Sequence, residues 1–259
     1  MPSELPTRAA AAIPASGVPE FWSAPVPGGA RFLMATRVGG VSEGPFAALN
    51  LGLRVGDREE AVAENARRVR EACGMGATEP LRVRQVHGAE LVAPSGAGSA
   101  ADGILLRAGD PWAGVSVADC APVALVTSDG SRGALVHSGW RGTLDGIAPR
   151  AARALAEGGS LRDIHVVIGP CIHACCYPVG PETARLFPTF LLRPHPSGRF
   201  ALDLPGAIAA SLAGAGLSPA RIAVAPECTA CRPDRFYSHR RDAGRTGRHW
   251  ALLRLPSAR

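Results

Sequence analysis

Three short apolar runs, at 115–118, 123–126 and 133–136, crowd into the stretch VSVADCAPVALVTSDGSRGALVHSGWRG (115–142). Turn formers bound each run, which predicts buried strands. Further strands are expected at 31–37, 81–86, 102–106, 163–169, 221–225 and 250–255, with 89–93 extended. Helical spacing is clearest over 57–73, DREEAVAENARRVREAC. There Val62, Ala66, Val69 and Cys73 make one apolar stripe, which places Cys73 in the core. Glu59 and Glu60 suit the positive end of that helix, and Asp57 is positioned to cap it. Gly74 follows where a left-handed residue ends a helix. Further helices are expected over 143–157, stopped by Gly158 and Gly159, and over 181–187 and 204–215. Strands and helices alternate without an internal repeat or a composition break, so 21–259 reads as a single α/β domain. The Ala/Pro-rich segment 1–20 reads as a flexible lead-in.

Composition narrows the function classes. With 46% hydrophobic residues the chain can bury a substantial core. No apolar run is long enough for a membrane span, and the first residues lack the basic start and apolar centre of a secretory leader. A cytoplasmic protein is expected. All 28 basic residues are Arg. Without Lys there is no Schiff base and no P-loop, whereas guanidinium groups can hold carboxylates or phosphates at two points. The net charge of +6 also suits nucleic acid, but aromatics are only 5% and do not interleave with the Arg residues as stacking platforms would. The glycine-rich 38–56 segment is not a dinucleotide fingerprint. Seven Cys in a chain of this length point to reduced thiols, with metal binding or catalysis as any special role.

His87, Cys120 and His137 each close a predicted strand beside a glycine or a turn. Two imidazoles and a thiolate are a borderline-soft set that suits zinc, and three protein ligands leave a fourth position open for chemistry. The separations match no compact finger motif. The same residues also fit a Cys120 nucleophile with His137 or His87 as base and Asp119 orienting a His. They fit equally one core Cys and two hydrogen-bonded His. A thiolate committed to zinc is a poor nucleophile, so the first two readings compete. Arg141, flanked by Gly139 and Gly142, can hold an anion beside a metal. Cys171, Cys175, Cys176 and the pair Cys228-x-x-Cys231 resemble no standard zinc knuckle and are expected as buried thiols, a second metal site being the other reading. His173 lies in the same turn and can face a pocket. His165, inside an apolar strand, is expected as a satisfied core His. The Arg-rich segment 237–248, YSHRRDAGRTGR, is a candidate anion pocket.

Several motifs together resemble one family. They are TRVGGVSEGPFAALNLGLRVGD (36–57), RQVHG (84–88), ADG (101–103), VADCAPVAL (117–125), HSGWRG (137–142), IGPCIHACCYPVG (168–180), CTAC (228–231) and RRDAGRTGR (240–248). In this order they are similar to the bacterial laccase-domain or polyphenol oxidase family, whose members are also described as purine nucleoside phosphorylases and peptidoglycan editing factors. The resemblance implies one zinc on His87, Cys120 and His137. It implies phosphorolysis of adenosine, inosine, guanosine and methylthioadenosine, and deamination of adenosine. It also implies an α/β fold with mixed β-sheets layered with helices, similar to that of cytotoxic deamidases. Phosphorolysis needs an anion site, for which Arg37, Asn50, Arg141 and Arg241 are the candidate substrate and phosphate contacts. Ser138 and His239 stand where the family usually has Ala and an aromatic residue. Expected partners are therefore a small-molecule nucleoside and phosphate, with no membrane, no nucleic acid and no indication of oligomeric state. The alternatives are a hydrolase editing a UDP-muramoyl conjugate in the same pocket and a copper oxidase. Copper is disfavoured: the chain has seven His and no H-x-H pair, and none of its three Met stands in relation to Cys120.

Overall fold

The computed structural model describes residues 17–156 and 160–257. Its strands are β1 (Phe21–Ala24), β2 (Arg31–Ala35), β3 (Leu91–Val92), β4 (Gly103–Arg107), β5 (Ala113–Val117), β6 (Ala121–Thr127), β7 (Arg132–Ser138), β8 (Ile164–Ile168), β9 (Pro178–Val179), β10 (Leu192–Pro194), β11 (Phe200–Leu202), β12 (Ile222–Val224) and β13 (His249–Arg254). The helices are α1 (Glu59–Ala72), α2 (Trp140–Leu144), α3 (Ile147–Leu155), α4 (Pro181–Ala184) and α5 (Leu204–Gly214). The strands form an antiparallel four-stranded sheet, β1-β2-β13-β5, and a mixed six-stranded sheet, β12-β8-β6-β7-β4-β3. A small sheet, β10-β11-β9, stands apart.

Side-chain alternation explains the layering. Along β6, Val123 and Leu125 face α3 and α5, meeting Ile147, Ala151, Leu155 and Ile208. Ala124 and Val126 face the other way, meeting Phe32, Met34, Val115 and Leu253 of the four-stranded sheet. A strand covered on both faces reads as a continuous apolar run, as this one does. Within β13, Ala251 and Leu253 join that inter-sheet core, while Trp250 and Leu252 meet Val69 and Cys73 of α1. The result is helix, sheet, sheet and helix in four layers, a single α/β domain with mixed sheets. Among the described residues no helix is long and apolar enough to cross a membrane.

Several expectations need correcting. Asp57 does not cap α1, whose cap residue is Arg58 without a side-chain bond. Its carboxylate instead accepts from the Ser42 hydroxyl and the Asn50 amide. The 81–86 segment makes only single bridges, Leu81 to Ala113 and Arg84 to Ala100. The helix expected over 143–157 is two helices, because Gly146 takes a left-handed φ of +74° between α2 and α3. Its expected stop at Gly158 and Gly159 lies outside the described residues, as do residues 1–16 of the expected lead-in. Glu20 belongs to the folded body: its N–H donates to the Val38 carbonyl and its carboxylate pairs with Arg235. Strand β1, with Trp22 packed edge-on to Phe32, was not expected.

Candidate active site

The four-layer frame brings His87, Cys120 and His137 together from three separate segments. One ligand atom from each lies within 4.8 Å of the others. His137 is the penultimate residue of β7 and Cys120 directly precedes β6, and these strands pair antiparallel with Ala121 opposite Ser138. That register sets Cys120 beside His137. His87 arrives on an irregular turn, with its own φ at +60°. The two imidazole rings meet edge to face, 4.8 Å between centroids.

The turn is held by a residue whose role the sequence did not reveal. Asp102, fully buried before β4, accepts hydrogen bonds from the backbone N–H groups of Val86 (3.1 Å), His87 (3.0 Å) and Gly88 (2.7 Å). The same carboxylate lies 2.8 Å from His137 Nδ1. A carboxylate on Nδ1 fixes the tautomer that leaves Nε2 with a lone pair, an arrangement common behind metal-bound imidazoles. Burial raises the cost of the Asp102 charge, but His137 and the backbone donors outweigh it, and its pKa lies below the ordinary value. Burial likewise pushes the Cys120 thiol up, yet the facing His137 and His87 hold it down at about 6. Burial disfavours a charged His137, and Cys120 and Asp102 overcome this, raising it to about 9. Without a metal the cluster therefore favours a Cys120 thiolate beside a protonated His137, whose Nε2 proton a bound metal would displace. Gly139 leaves room here: a Cβ at that position would stand 3.0 Å from Cys120 Sγ, and the sulfur would have to shift.

Asp119 is close by but does not orient either histidine. Its buried carboxylate accepts from Thr229 Oγ1 (2.7 Å), Ser238 Oγ (3.0 Å) and the Arg240 N–H (2.7 Å). With φ at +86°, it ties the 227–240 segment to the turn that carries Cys120. Orienting a His falls to Asp102.

The three residues line a cleft of about 570 Å³, whose walls include Gln85, Trp140, Tyr177, Arg141, Arg240 and Arg248. Arg141 stands exposed over the Trp140 ring at 4.4 Å. Arg240 lies over the Tyr177 ring at 5.0 Å. Arg248 is held by the carbonyls of Thr246 and Gly247, and its backbone N–H donates to Asn50 Oδ1. His239 also lines the cleft.

Three expected anion contacts are elsewhere. Arg37 donates to the carbonyls of Ala47 and Pro233 and covers the Tyr237 ring, so its guanidinium is committed to the fold. Asn50 is fully buried in a network with Asp57 and Gly52 and reaches the cleft only by positioning Arg248. Arg241 pairs with Asp242 and donates to the carbonyls of Thr229 and Phe236. Arg141 alone of the four lines the cleft, joined by Arg240 and Arg248. Both lie in the motif RRDAGRTGR, where the sequence alone does not separate them from Arg241. His165 is half-buried rather than core, with Nε2 3.2 Å from the Ser128 hydroxyl. His173 does not line the cleft; its N–H points at Cys228 Sγ, 3.5 Å away.

Comparison with known proteins agrees with this frame. A family described as multi-copper polyphenol oxidoreductase laccase matches residues 31–256. The purine nucleoside phosphorylase YlmD of Geobacillus stearothermophilus is 36% identical over 251 residues, covering 89% of this chain and 92% of its own length. A purine nucleoside phosphorylase of Deinococcus radiodurans is 38% identical over 233 residues, 85% and 87% of the two chains. The crystal structure of the Geobacillus YlmD superposes with a TM-score of 0.82 at 34% identity, over 88% of this chain and 92% of that one.

Proposed function

The chain belongs to the multi-copper polyphenol oxidoreductase laccase family, and from that premise we propose that it is a zinc-dependent purine nucleoside phosphorylase. One observation carries the reading: the soft His87–Cys120–His137 cluster sits in a cleft walled by three guanidinium groups, Arg141, Arg240 and Arg248. Relatives bearing the phosphorylase name support the substrate class. The residues fit zinc, since the donors are borderline-soft and Asp102 already fixes the His137 tautomer. When bound, zinc supplies Lewis acidity to an oxygen of phosphate or water.

The remaining work belongs to side chains. Arg141, Arg240 and Arg248 neutralise phosphate and hold it for in-line attack. A phosphate oxygen bonds to the ribose C1′ as the C1′–N9 bond breaks through an oxocarbenium-like transition state. The bonding pair leaves with the purine, which takes up a proton. Trp140 and Tyr177 provide ring surface against the nucleoside. Water in place of phosphate, adding to C6 of adenosine as the C6–N bond breaks and the amino group leaves as ammonia, would give the deamination activity in the same cleft.

The test is hypoxanthine release from inosine with and without phosphate, beside metal analysis, for wild type and Cys120→Ser. Phosphate-dependent release that disappears together with about one zinc equivalent in the variant is the expected result. Phosphate-independent activity, or full activity and metal content in the variant, would overturn the reading. Activity abolished by thiol alkylation in zinc-free wild type would make Cys120 a nucleophile instead.

A further inference from the structure

A second thiol cluster lies outside the cleft. Two loops build it: the one between β8 and β9, carrying Cys175-Cys176, and the one after β12, carrying Cys228-x-x-Cys231. A bridge between Cys171 and Cys228 and the Thr229 N–H to Cys171 carbonyl bond (2.9 Å) hold the loops side by side. Tight turns then fold each loop back. The Cys176 N–H donates to the His173 carbonyl and the Cys231 N–H to the Cys228 carbonyl. The sulfur atoms of Cys175, Cys176, Cys228 and Cys231 all fall within 4.8 Å of one another. Cys231 Sγ is 3.5 Å from Cys175 Sγ and 3.4 Å from Cys176 Sγ.

We propose that Cys175, Cys176, Cys228 and Cys231 hold a structural zinc ion, distinct from the His87–Cys120–His137 centre. Four thiolates at Zn–S distances of about 2.3 Å, arranged tetrahedrally, lie about 3.8 Å apart. Two of the spacings, 3.4 and 3.5 Å, fall just below that value, and all lie within 4.8 Å. Core packing does not explain the convergence, because Cys175 and Cys231 are exposed. Nor do the four sulfurs sort into two pairs: Cys231 is shared between adjacent cysteines, and a disulfide requires contact near 2.05 Å. The expectation of buried thiols fails for the same reason. Of the five cysteines in these loops only Cys171 and Cys228 are buried, and Cys171 stays with the core. The His173 N–H aimed at Cys228 Sγ is the kind of donor a metal-bound thiolate accepts.

Zinc binding here displaces four thiol protons and closes all four positions, which suits stability rather than chemistry. What it would secure is the cleft wall. One loop carries Ile172 and Tyr177 into the cleft. The other carries Thr229, whose hydroxyl donates to Asp119 and whose carbonyl accepts from Arg241. The ion would add a tie at the loop tips to the Cys171–Cys228 bridge at their base.

The experiment is metal analysis of full-length protein purified under reducing conditions without chelator. Wild type should carry about two zinc equivalents per chain, and Cys120→Ser and Cys231→Ser about one each. Cys231 is exposed, so its serine variant leaves the core intact; circular dichroism checks this. Cys120→Ser protein loaded with cobalt should show the intense visible absorption of a tetrahedral tetrathiolate. A wild type with one zinc, lost entirely in Cys120→Ser, would overturn the proposal. So would an intact mass of the reducing preparation showing these cysteines oxidised in pairs. Neither result bears on phosphorolysis, which is read separately.

Discussion

Asp102→Asn tests the idea that one carboxylate both shapes the His87 turn and orients His137. The change keeps size and removes one acceptor. Asp102 Oδ1 serves His87 N–H and His137 Nδ1, and Oδ2 serves Val86 N–H and Gly88 N–H. Whichever oxygen becomes the amide nitrogen, two donors then face a donor: either buried His137 with the part-buried His87 N–H, or the part-buried N–H groups of Val86 and Gly88. Each such loss costs about 1–3 kcal/mol, so roughly 2–6 kcal/mol of stability is at stake. That is a large share of the roughly 5–15 kcal/mol typical of a domain. Loss of an outer carboxylate also weakens metal binding by about 10- to 100-fold. Urea unfolding of metal-free protein reads the first quantity, and competition with a chromophoric chelator reads the second. If the variant lost less than about 1 kcal/mol and bound zinc within about twofold of wild type, Asp102 would not be the organising group.

Three further outcomes follow from the geometry. Arg141→Ala should raise the KM for phosphate with the fold intact, whereas Arg37→Ala should lower the midpoint of thermal unfolding and leave that KM near wild type; the reverse pattern would restore Arg37 to the anion site. Gly139→Ala puts a methyl group 3.0 Å from Cys120 Sγ, so metal content should fall while circular dichroism stays unchanged. Asp242 has its pKa held below 3.8, because the Arg241 and Thr246 hydrogen bonds outweigh the burial that would raise it. Its depressed value stabilises the fold above pH 3.8 and ceases to do so as pH falls through the folded value. Asp242→Asn should therefore be less stable than wild type at neutral pH, with the gap narrowing below about pH 3.8; a gap independent of pH would refute the assignment.

The parts of the fold legible in the sequence are those where local pattern and tertiary demand coincide. The runs at 115–118, 123–126 and 133–136 lie within β5, β6 and β7 or one residue beyond, and the Val62–Cys73 stripe is buried as α1 requires. The helix expected over 143–157 was misread because its apolar spacing continues through Gly146, whose left-handed φ breaks it. Segment 81–86 has strand composition, yet Gln85 spends its side chain on the backbone of Ser116 instead of joining a ladder. At the site, residue type and strand-end position made His87, Cys120 and His137 candidates, and the family resemblance implied them as one set; the structure brings the three together. Residue type and position did not separate Asp102 from Asp119, because which carboxylate meets a histidine depends on the β4–β7 pairing rather than on nearness in sequence. Arg37, Arg240, Arg241 and Arg248 are chemically identical. Only the carbonyls and rings around each decide which one faces the cleft.

The position of β13 has a consequence for how this protein is made. The last of the described strands lies between β2 and β5, with Leu252 opposite Leu33 on one side and Gly114 on the other. While the ribosome is still working upstream of His249, β2 and β5 each show an unpaired edge, and the inter-sheet core lacks Ala251 and Leu253. Unpaired apolar edges recruit other chains. A polypeptide cut short just before β13, by a stop codon or a protease, would keep every residue of the cleft described above and still be prone to aggregate.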